Sequence, residues 1–220
     1  MLKNVRNKTK TMKKIMFNDK YRLTEAVLNG YKTMTRRIAK PLSSNIDKRI
    51  FGTLCEGSNI VDGKFVYRNG QRIFVSQYKV GEVLAIAQCY KDLELTFIPY
   101  QDTTFKKKNV GKWGNPKTMK GYNNKMFVRS DMMKHHIRIT GIKVERLQDI
   151  TDEDCLKEGI SSTNLFNVGS GIPEAFVFEG DNMAYQTPKI AFAPLIDKVS
   201  GKGTWKNNPL VFAYFFELID

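Results

Sequence analysis

Residues 136–160 read HIRITGIKVERLQDITDEDCLKEGI and carry the clearest fold signal in the chain. Apolar residues alternate with polar ones through Ile137 and Ile139, and the alternation changes phase after Gly141. A period of two predicts a half-buried strand, and an interior glycine at a phase change predicts a β-bulge. We therefore predict a long strand that bends at Gly141, as in a small curled barrel.

A short acidic helix is predicted directly after this strand. Thr151 is a favourable N-cap, the acidic run Asp152 to Asp154 suits a first helical turn, and Gly159 suits the end. Glu158 would then be the last helical residue, where the helix dipole disfavours a carboxylate. This position invites a functional explanation, although a single exposed glutamate at a helix end is common.

Toward the N-terminus, the stretch LNGYKTMTRRI concentrates positive charge and hydroxyl groups. The preceding residues have helical apolar spacing, and Gly30 stands where a C-cap glycine belongs. Residues 32–37 then hold three cations and two threonines with no acid among them. We predict a loop or the start of a strand whose side chains bind a phosphate, take part in chemistry, or simply face water.

Other segments indicate a mixed fold with many strands and few helices. A helix is predicted from Pro188, with Thr187 as its N-cap, and GKGTWKNNP after it is predicted to be a loop. Strands are predicted for KIMFN, for both arms of the hairpin KFVYRNGQRIFV around Asn69-Gly70, for Val83 to Ala87 and for LVFAYFFELI. The fold class is therefore α+β, with a curled antiparallel sheet, short flanking helices and long inserted loops.

The charge of the chain favours a polyanionic partner. The net charge is +14, of which residues 1–40 contribute +10, whereas residues 141–220 carry −5. A one-sided cationic field attracts nucleic acid, although a basic tail that only aids solubility is the alternative. The basic loop from Phe105 to Lys125 holds Trp113 and Tyr122, and this pattern suits either single-stranded nucleic acid or a loop anchored by one tryptophan.

Several protein classes are disfavoured by composition. No stretch approaches the length of a membrane span, and the basic N-terminus lacks the apolar run of a secretory signal, so we predict a cytoplasmic protein without membrane contact. Three distant cysteines and the pair His135-His136 show no metal-ligand spacing, so no metal or cofactor is predicted. Residues 1–11 are predicted to be a flexible basic tail, with Met12 as a second possible start.

Four segments together resemble the ASCH family, a branch of the PUA-like β-barrels, and most closely its longer phage and prophage members. The first has Gly30, Lys32, Thr33, Thr35 and Arg37 in the pattern G-x-K-T-x-T-x-R. The others are YKVGEVLAIAQ, the strand and acidic helix ending Glu-Gly, and GKGTWKNNPLVFAYFFELI. The resemblance covers about half of 12–220, which we predict to be one domain with insertions near 41–78, 99–125 and 160–186.

The resemblance implies a PUA-like barrel with a cleft between the Lys-Thr loop and the acidic helix. Such barrels generally bind RNA or modified bases, and small ASCH members resembling amidohydrolases act on N4-acylated cytidines. The active-site positions of those enzymes match Lys32, Thr35 and Glu158 here. We predict these three as catalytic if the protein is an enzyme, and predict as ligand-binding Thr33, Arg36, Arg37, Trp113 and Arg129.

The proposed catalytic chemistry is physically reasonable. A threonine hydroxyl is a weak nucleophile that needs a base, and a lysine with a lowered pKa can serve. Repulsion from Arg36 and Arg37, together with burial, would lower the pKa of Lys32. Glu158 could shuttle a proton, and Arg37 could hold a carbonyl, phosphate or developing oxyanion.

Three functions remain open from the sequence. We favour a module that binds RNA or a modified nucleoside or nucleotide, with DNA as a further possible polyanion. The alternative is a metal-independent amidohydrolase, or less readily a ribonuclease. A third is an interaction protein that keeps the scaffold without either activity. The sequence sets no oligomeric state.

Overall fold

The computed structural model describes residues 12–40, 59–61, 64–66, 72–94, 117, 119–163 and 175–220. The predicted tail 1–11, the Asn69-Gly70 turn and Trp113 lie outside these residues. The predicted insertions are described only in part, so their extent stays a prediction.

The described chain contains ten strands and four α-helices, with short 3-10 turns between them. In chain order the elements are β1 (Lys14–Ile15), α1 (Leu23–Leu28), β2 (Met34–Ile38), β3 (Asn59–Val61), β4 (Lys64–Val66), β5 (Arg72–Val75), β6 (Val83–Ile86), β7 (His136–Arg146), α2 (Asp152–Lys157), β8 (Ser161–Thr163), β9 (Ala175–Val177), α3 (Pro188–Ser200), α4 (Thr204–Asn207) and β10 (Leu210–Leu218). This content confirms the predicted α+β class.

The chain divides into two compact units. The first unit comprises Met1–Phe17, Val83–His136 and Asp220, and the second comprises Asn18–Glu82 and Ile137–Ile219. In the first unit β1 pairs with β6, and in the second unit β10 pairs with β2 and β7. Smaller sheets join β3, β4 and β5, and β8 with β9. Among the described strands no closed barrel is found, and no described helix is long and apolar enough to cross a membrane.

The first unit contains a strand pairing that the sequence did not predict. β1 and β6 are parallel, with Lys14 opposite Ala85 and Ile15 opposite Ile86. The prediction of an antiparallel sheet is therefore wrong for this pair. Parallel neighbours need a long connection between them, and the many residues that separate β1 from β6 provide one. A small core beside this pair is formed by Ala85, Tyr90, Leu93, Val128 and Met133.

The second unit is organised around β10, which pairs antiparallel with β2 on one side and β7 on the other. β10 is almost entirely apolar and buried from Leu210 to Tyr214, as a central strand requires. Its register with β7 shifts where Phe215 faces Gly141 and Phe216 faces Ile139. This irregularity confirms the predicted bulge.

The helix boundaries follow the predicted caps. Gly30 adopts φ +77° after α1, and Gly159 adopts φ +101° after α2, so both helices end at residues suited to left-handed backbone. The Thr151 side chain accepts a hydrogen bond from the Asp154 amide, and Thr187 accepts one from Ile190 at the start of α3.

The predicted loop GKGTWKNNP is corrected in part, because Thr204–Asn207 forms one helical turn, α4. The Asp197 carboxylate holds this turn by accepting hydrogen bonds from the Gly203 amide at 3.0 Å and the Trp205 amide at 2.7 Å. Local sequence favours a loop there, and a carboxylate from α3 caps the turn instead.

Candidate functional site

Strand β2 presents its side chains to two different environments. In a strand, successive side chains point to opposite faces, and residues directly opposite on a neighbouring strand share a face. Arg36 pairs with Ala213, whereas Thr35 pairs with Tyr214 and Arg37 with Phe212. We call the side of Met34, Arg36 and Ala213 the ion-pair face, and the side of Thr35, Arg37, Phe212 and Tyr214 the cavity face.

Arg36 is the centre of the ion-pair face. Its guanidinium is fully buried and donates to three carboxylates: Glu145 Oε1 at 2.8 and 2.5 Å, Asp154 Oδ2 at 2.8 Å and Glu158 Oε1 at 3.2 Å. Burial opposes the charged form, but the carboxylates outweigh it, so the pKa of Arg36 lies above its ordinary value. The acids missing from residues 32–37 are therefore supplied by β7 and α2.

Two features of the fold let the guanidinium reach these carboxylates. Ala213 stands between Arg36 and β7, and its small side chain leaves room for the arginine to pass across β10. Asp154 and Glu158 are four positions apart and point the same way from α2 and its C-cap. The Thr33 amide donates to the Lys157 carbonyl at 3.0 Å, which fixes the end of α2 against the start of β2.

Lys32 shares the Glu158 carboxylate with Arg36. Its Nζ lies 2.6 Å from Glu158 Oε2 and 2.7 Å from the Glu158 carbonyl oxygen. The lysine side chain is only 2% exposed and the glutamate 6%. Burial lowers the pKa of Lys32, Glu158 raises it, and Arg37 and Arg36 lower it, with a net decrease. The predicted direction is confirmed, and burial rather than repulsion is the larger cause.

The other Glu145 oxygen lies at the edge of this network. Its Oε2 is 2.7 Å from the half-exposed Lys143 ammonium, yet it is buried and no described group meets hydrogen-bond geometry with it. The short distance shows an electrostatic pair, whereas the poor angle leaves this oxygen without a directed bond. Lys32, Arg36 and Lys143 thus balance the charges of Glu145, Asp154 and Glu158.

The cavity face is built around Tyr214. Its hydroxyl lies 2.9 Å from Ser76 Oγ and accepts a hydrogen bond from the Gln77 amide at 3.1 Å. Burial raises the pKa of Tyr214, while the hydrogen bonds and the Arg37 charge act in the opposite direction. Arg37 therefore stands close enough to influence the phenol electrostatically.

A cavity of 570 Å³ opens beside these residues. Its charged and polar lining includes Arg37, Lys40 and Gln77, and its aromatic lining is Phe212 and Tyr214. The remaining lining residues are Arg36, Ile38, Val75 and Ser200. The volume falls within the range of small-molecule sites, and the lining combines cations, an amide and buried aromatic rings.

The predicted site residues are divided by the structure. Lys32, Glu158 and Arg36 meet on the ion-pair face, where Arg36 is enclosed by protein carboxylates. Thr35 lies on the opposite face, is 5% exposed, and pairs with Tyr214. Among the described residues no hydrogen bond joins the Thr35 side chain to Lys32 or Glu158.

The remaining predicted ligand residues have different positions. Arg37 lines the cavity, and Thr33 lies just before β2 and is half-buried. Arg129 belongs to the first unit, where its guanidinium forms an ion pair with Asp131. Trp113 is outside the described residues.

Sequence reasoning missed the partners contributed by distant elements. Glu145 appeared only as a polar strand residue and Asp154 only as a first-turn acid. Tyr214 was assigned to an apolar strand, although a tyrosine there signals a hydroxyl that needs a partner. Lys40 and Gln77 carry no local signal that connects them with Arg37.

Comparison with known proteins returned no relative: no family model, no curated protein and no solved structure matches the chain. Within the described part of the chain, no group of three histidine, cysteine, aspartate or glutamate side chains could hold a metal ion.

Proposed function

We propose that this protein is an ASCH-type module, with the curled PUA-like barrel of that family, that binds RNA or a modified nucleoside at the cavity face of β2. The observation that carries the proposal is the 570 Å³ cavity, in which Arg37 and Lys40 stand beside Phe212 and Tyr214. DNA and free nucleotides share the same phosphate and base chemistry and are alternative ligands.

The lining supports recognition of a base and a phosphate together. A guanidinium forms charge-assisted, often bidentate bonds with phosphate oxygens, and Lys40 adds a second cation. Gln77 offers a side-chain amide that can both donate to and accept from a base edge. Phe212 and Tyr214 are 3% and 0% exposed, so they form the closed inner wall behind these polar groups. The +14 net charge would draw polyanions toward such a site.

The proposal is tested by measuring the affinity of a short labelled single-stranded RNA for wild-type protein and for Arg37→Gln. We expect the variant to bind about tenfold more weakly, because it loses one charge-assisted phosphate contact. The salt dependence of binding should also become shallower, since fewer counterions are released.

Arg138→Gln is the matched control, because it makes the same charge change at an exposed residue of β7 that pairs with Glu217. Its affinity should stay close to that of wild type. Equal losses in the two variants would show that only net charge matters, and the cavity assignment would then fail. Calorimetry with N4-acetylcytidine and cytidine would show whether a free nucleoside suffices.

A second candidate function is hydrolysis of an N4-acylated cytidine. It is favoured by the buried Lys32–Glu158 pair, in which burial lowers the pKa of Lys32 toward that of a usable base. In such a reaction water adds to the amide carbonyl, the carbon–nitrogen bond breaks, and cytidine leaves with a proton. Lys32 would accept a proton from the attacking water, Glu158 would relay that proton to the leaving nitrogen, and the acyl group would depart as the carboxylic acid.

The hydrolase is tested by following N4-acetylcytidine by absorbance with wild type, Lys32→Met and Thr35→Val. Loss of turnover in Lys32→Met alone would indicate a water nucleophile, since Thr35 faces the other side of the sheet. Loss in both would indicate that the hydroxyl takes part. Absence of turnover in wild type, together with nucleoside binding, would leave the binding function as the only one supported.

A further inference from the structure

Two large apolar side chains stand exposed on one turn of the first unit. Met126 is 62% exposed and Phe127 is 50% exposed, and both belong to the 3-10 turn Lys125–Phe127. Neither residue belongs to the cavity described above. Single exposed apolar residues are common, but two neighbours on one ordered turn form a small contact surface.

The turn is held in place by a set of polar contacts. The Asn124 side chain accepts from the Met126 amide at 3.0 Å. The Lys14 ammonium donates to the carbonyls of Lys125, Met126 and Val128 at 3.1, 3.0 and 2.5 Å. Val128, directly after the turn, is buried in the core of the first unit. The backbone that carries Phe127 is therefore fixed, so its ring is displayed from a preorganised position.

The surroundings of the ring are strongly basic. Residues 117–134 contain five lysines or arginines and one acid, and that acid, Asp131, pairs with Arg129. Lys120 Nζ lies 5.9 Å from the centroid of the Phe127 ring. A planar group stacked on this ring would thus have an ammonium within reach of any attached anion.

We propose that this surface, formed by Lys120, Lys125, Met126 and Phe127, binds single-stranded RNA by stacking one base on Phe127. The proposal rests on the RNA-binding function proposed above and assigns it a second contact region. Sequence-tolerant binding of single strands combines aromatic platforms with cations that follow the phosphates, and both are present here. An acidic peptide would use the lysines but would leave the ring without a planar partner.

The experiment measures fluorescence anisotropy of a labelled oligouridylate with full-length wild type, Phe127→Ala, Phe127→Leu and Phe127→Trp. We expect about tenfold weaker binding for Phe127→Ala and Phe127→Leu, and wild-type or tighter binding for Phe127→Trp, because only a ring can stack. Met126→Ala is the matched control for an exposed apolar neighbour and should change affinity little. Lys120→Gln should make the slope of the logarithm of the binding constant against the logarithm of salt concentration shallower by about 0.7.

Each outcome separates the two proposals. Unchanged affinity in Phe127→Ala, with weakened binding in Arg37→Gln, overturns this surface and leaves the cavity function standing. Equal losses in Phe127→Ala and Met126→Ala overturn base stacking. A wild-type protein that binds no RNA overturns both. Polyglutamate that binds with the same dependence on Phe127 would assign the surface to acidic protein and overturn the RNA assignment.

Discussion

Arg36 and Arg37 are neighbours in sequence, yet the fold gives them opposite surroundings. Arg36 is buried at the ion-pair face among Glu145, Asp154 and Glu158. Arg37 is half-buried and lines the cavity beside Phe212 and Tyr214. Strand alternation turns the two side chains to opposite faces, and although Arg36 also borders the cavity, its guanidinium is held by the three carboxylates.

The comparison shows how one basic stretch can have two roles. A buried guanidinium is stable only when carboxylates replace the water it has lost, so Arg36 is committed to the protein interior. A cation that borders a cavity can give up contacts with solvent and form contacts with a bound ligand instead. The first arginine therefore concerns folding, whereas the second borders the cavity where we propose that a ligand binds.

The largest expected effect comes from removing the buried cation. Arg36→Met would leave three buried carboxylates without their common partner, and we expect the free energy of unfolding to fall by about 3–5 kcal/mol. Arg37→Met, the adjacent and otherwise identical change, should lower it by about 1 kcal/mol or less. Urea denaturation of both variants measures the contrast. Similar losses in the two would break the distinction between the faces.

A moderate effect is expected on the cavity face. Tyr214→Phe removes the hydroxyl that contacts Ser76 Oγ and the Gln77 amide, so those groups lose a buried partner. We expect a loss of about 1–2 kcal/mol in unfolding free energy, together with weaker nucleoside binding if the wall of the cavity shifts. Ser76→Ala is the control, because it removes the other partner of this hydrogen bond. The loss of unfolding free energy in the double variant should be smaller than the sum of the two single losses.

A smaller effect is expected from the titration of Lys32. Burial lowers the pKa of Lys32 below its ordinary 10.5, so between its folded pKa and 10.5 the unfolded chain holds a proton that the folded chain has released. The contribution of Lys32 to stability therefore rises with pH across that window. The unfolding free energy of wild type minus that of Lys32→Met should increase as the pH approaches 10.5. A constant difference would contradict the lowered pKa.

The smallest effect is expected at Cys155, which lies on the buried side of α2 and whose thiol should not be alkylated in the folded protein. Burial raises the pKa of Cys155 to about 12, and the residue is 0% exposed. Native protein treated with iodoacetamide at mildly alkaline pH should keep this thiol unmodified, whereas Arg36→Met should expose it. Peptide mass mapping identifies the modified cysteine. Rapid labelling in wild type would show that the ion-pair face opens readily.

Much of the local structure could be predicted from the sequence. The bulge at Gly141, the Thr151 and Thr187 caps and the end of α1 near Gly30 all depend on residues within a few positions of each other. Such signals concern backbone conformation and short-range hydrogen bonds, which the neighbouring side chains control. The turn α4 was missed because its stabilising carboxylate, Asp197, belongs to the preceding helix.

The sequence by itself determined that Lys32 to Arg37 would concentrate positive charge after a helix, and that a short acidic helix would follow a bent strand; the helix ends at Lys157, with Glu158 as its C-cap. Only the tertiary structure decided which cation meets which acid. The partners of Arg36 and Lys32 are 109 to 126 positions away in the chain, and strand register sends Thr35 and Arg37 to the opposite face. Local preferences carry no information about such pairings, because the electrostatic energy depends on burial and distance that arise only when β2, β7 and α2 have packed.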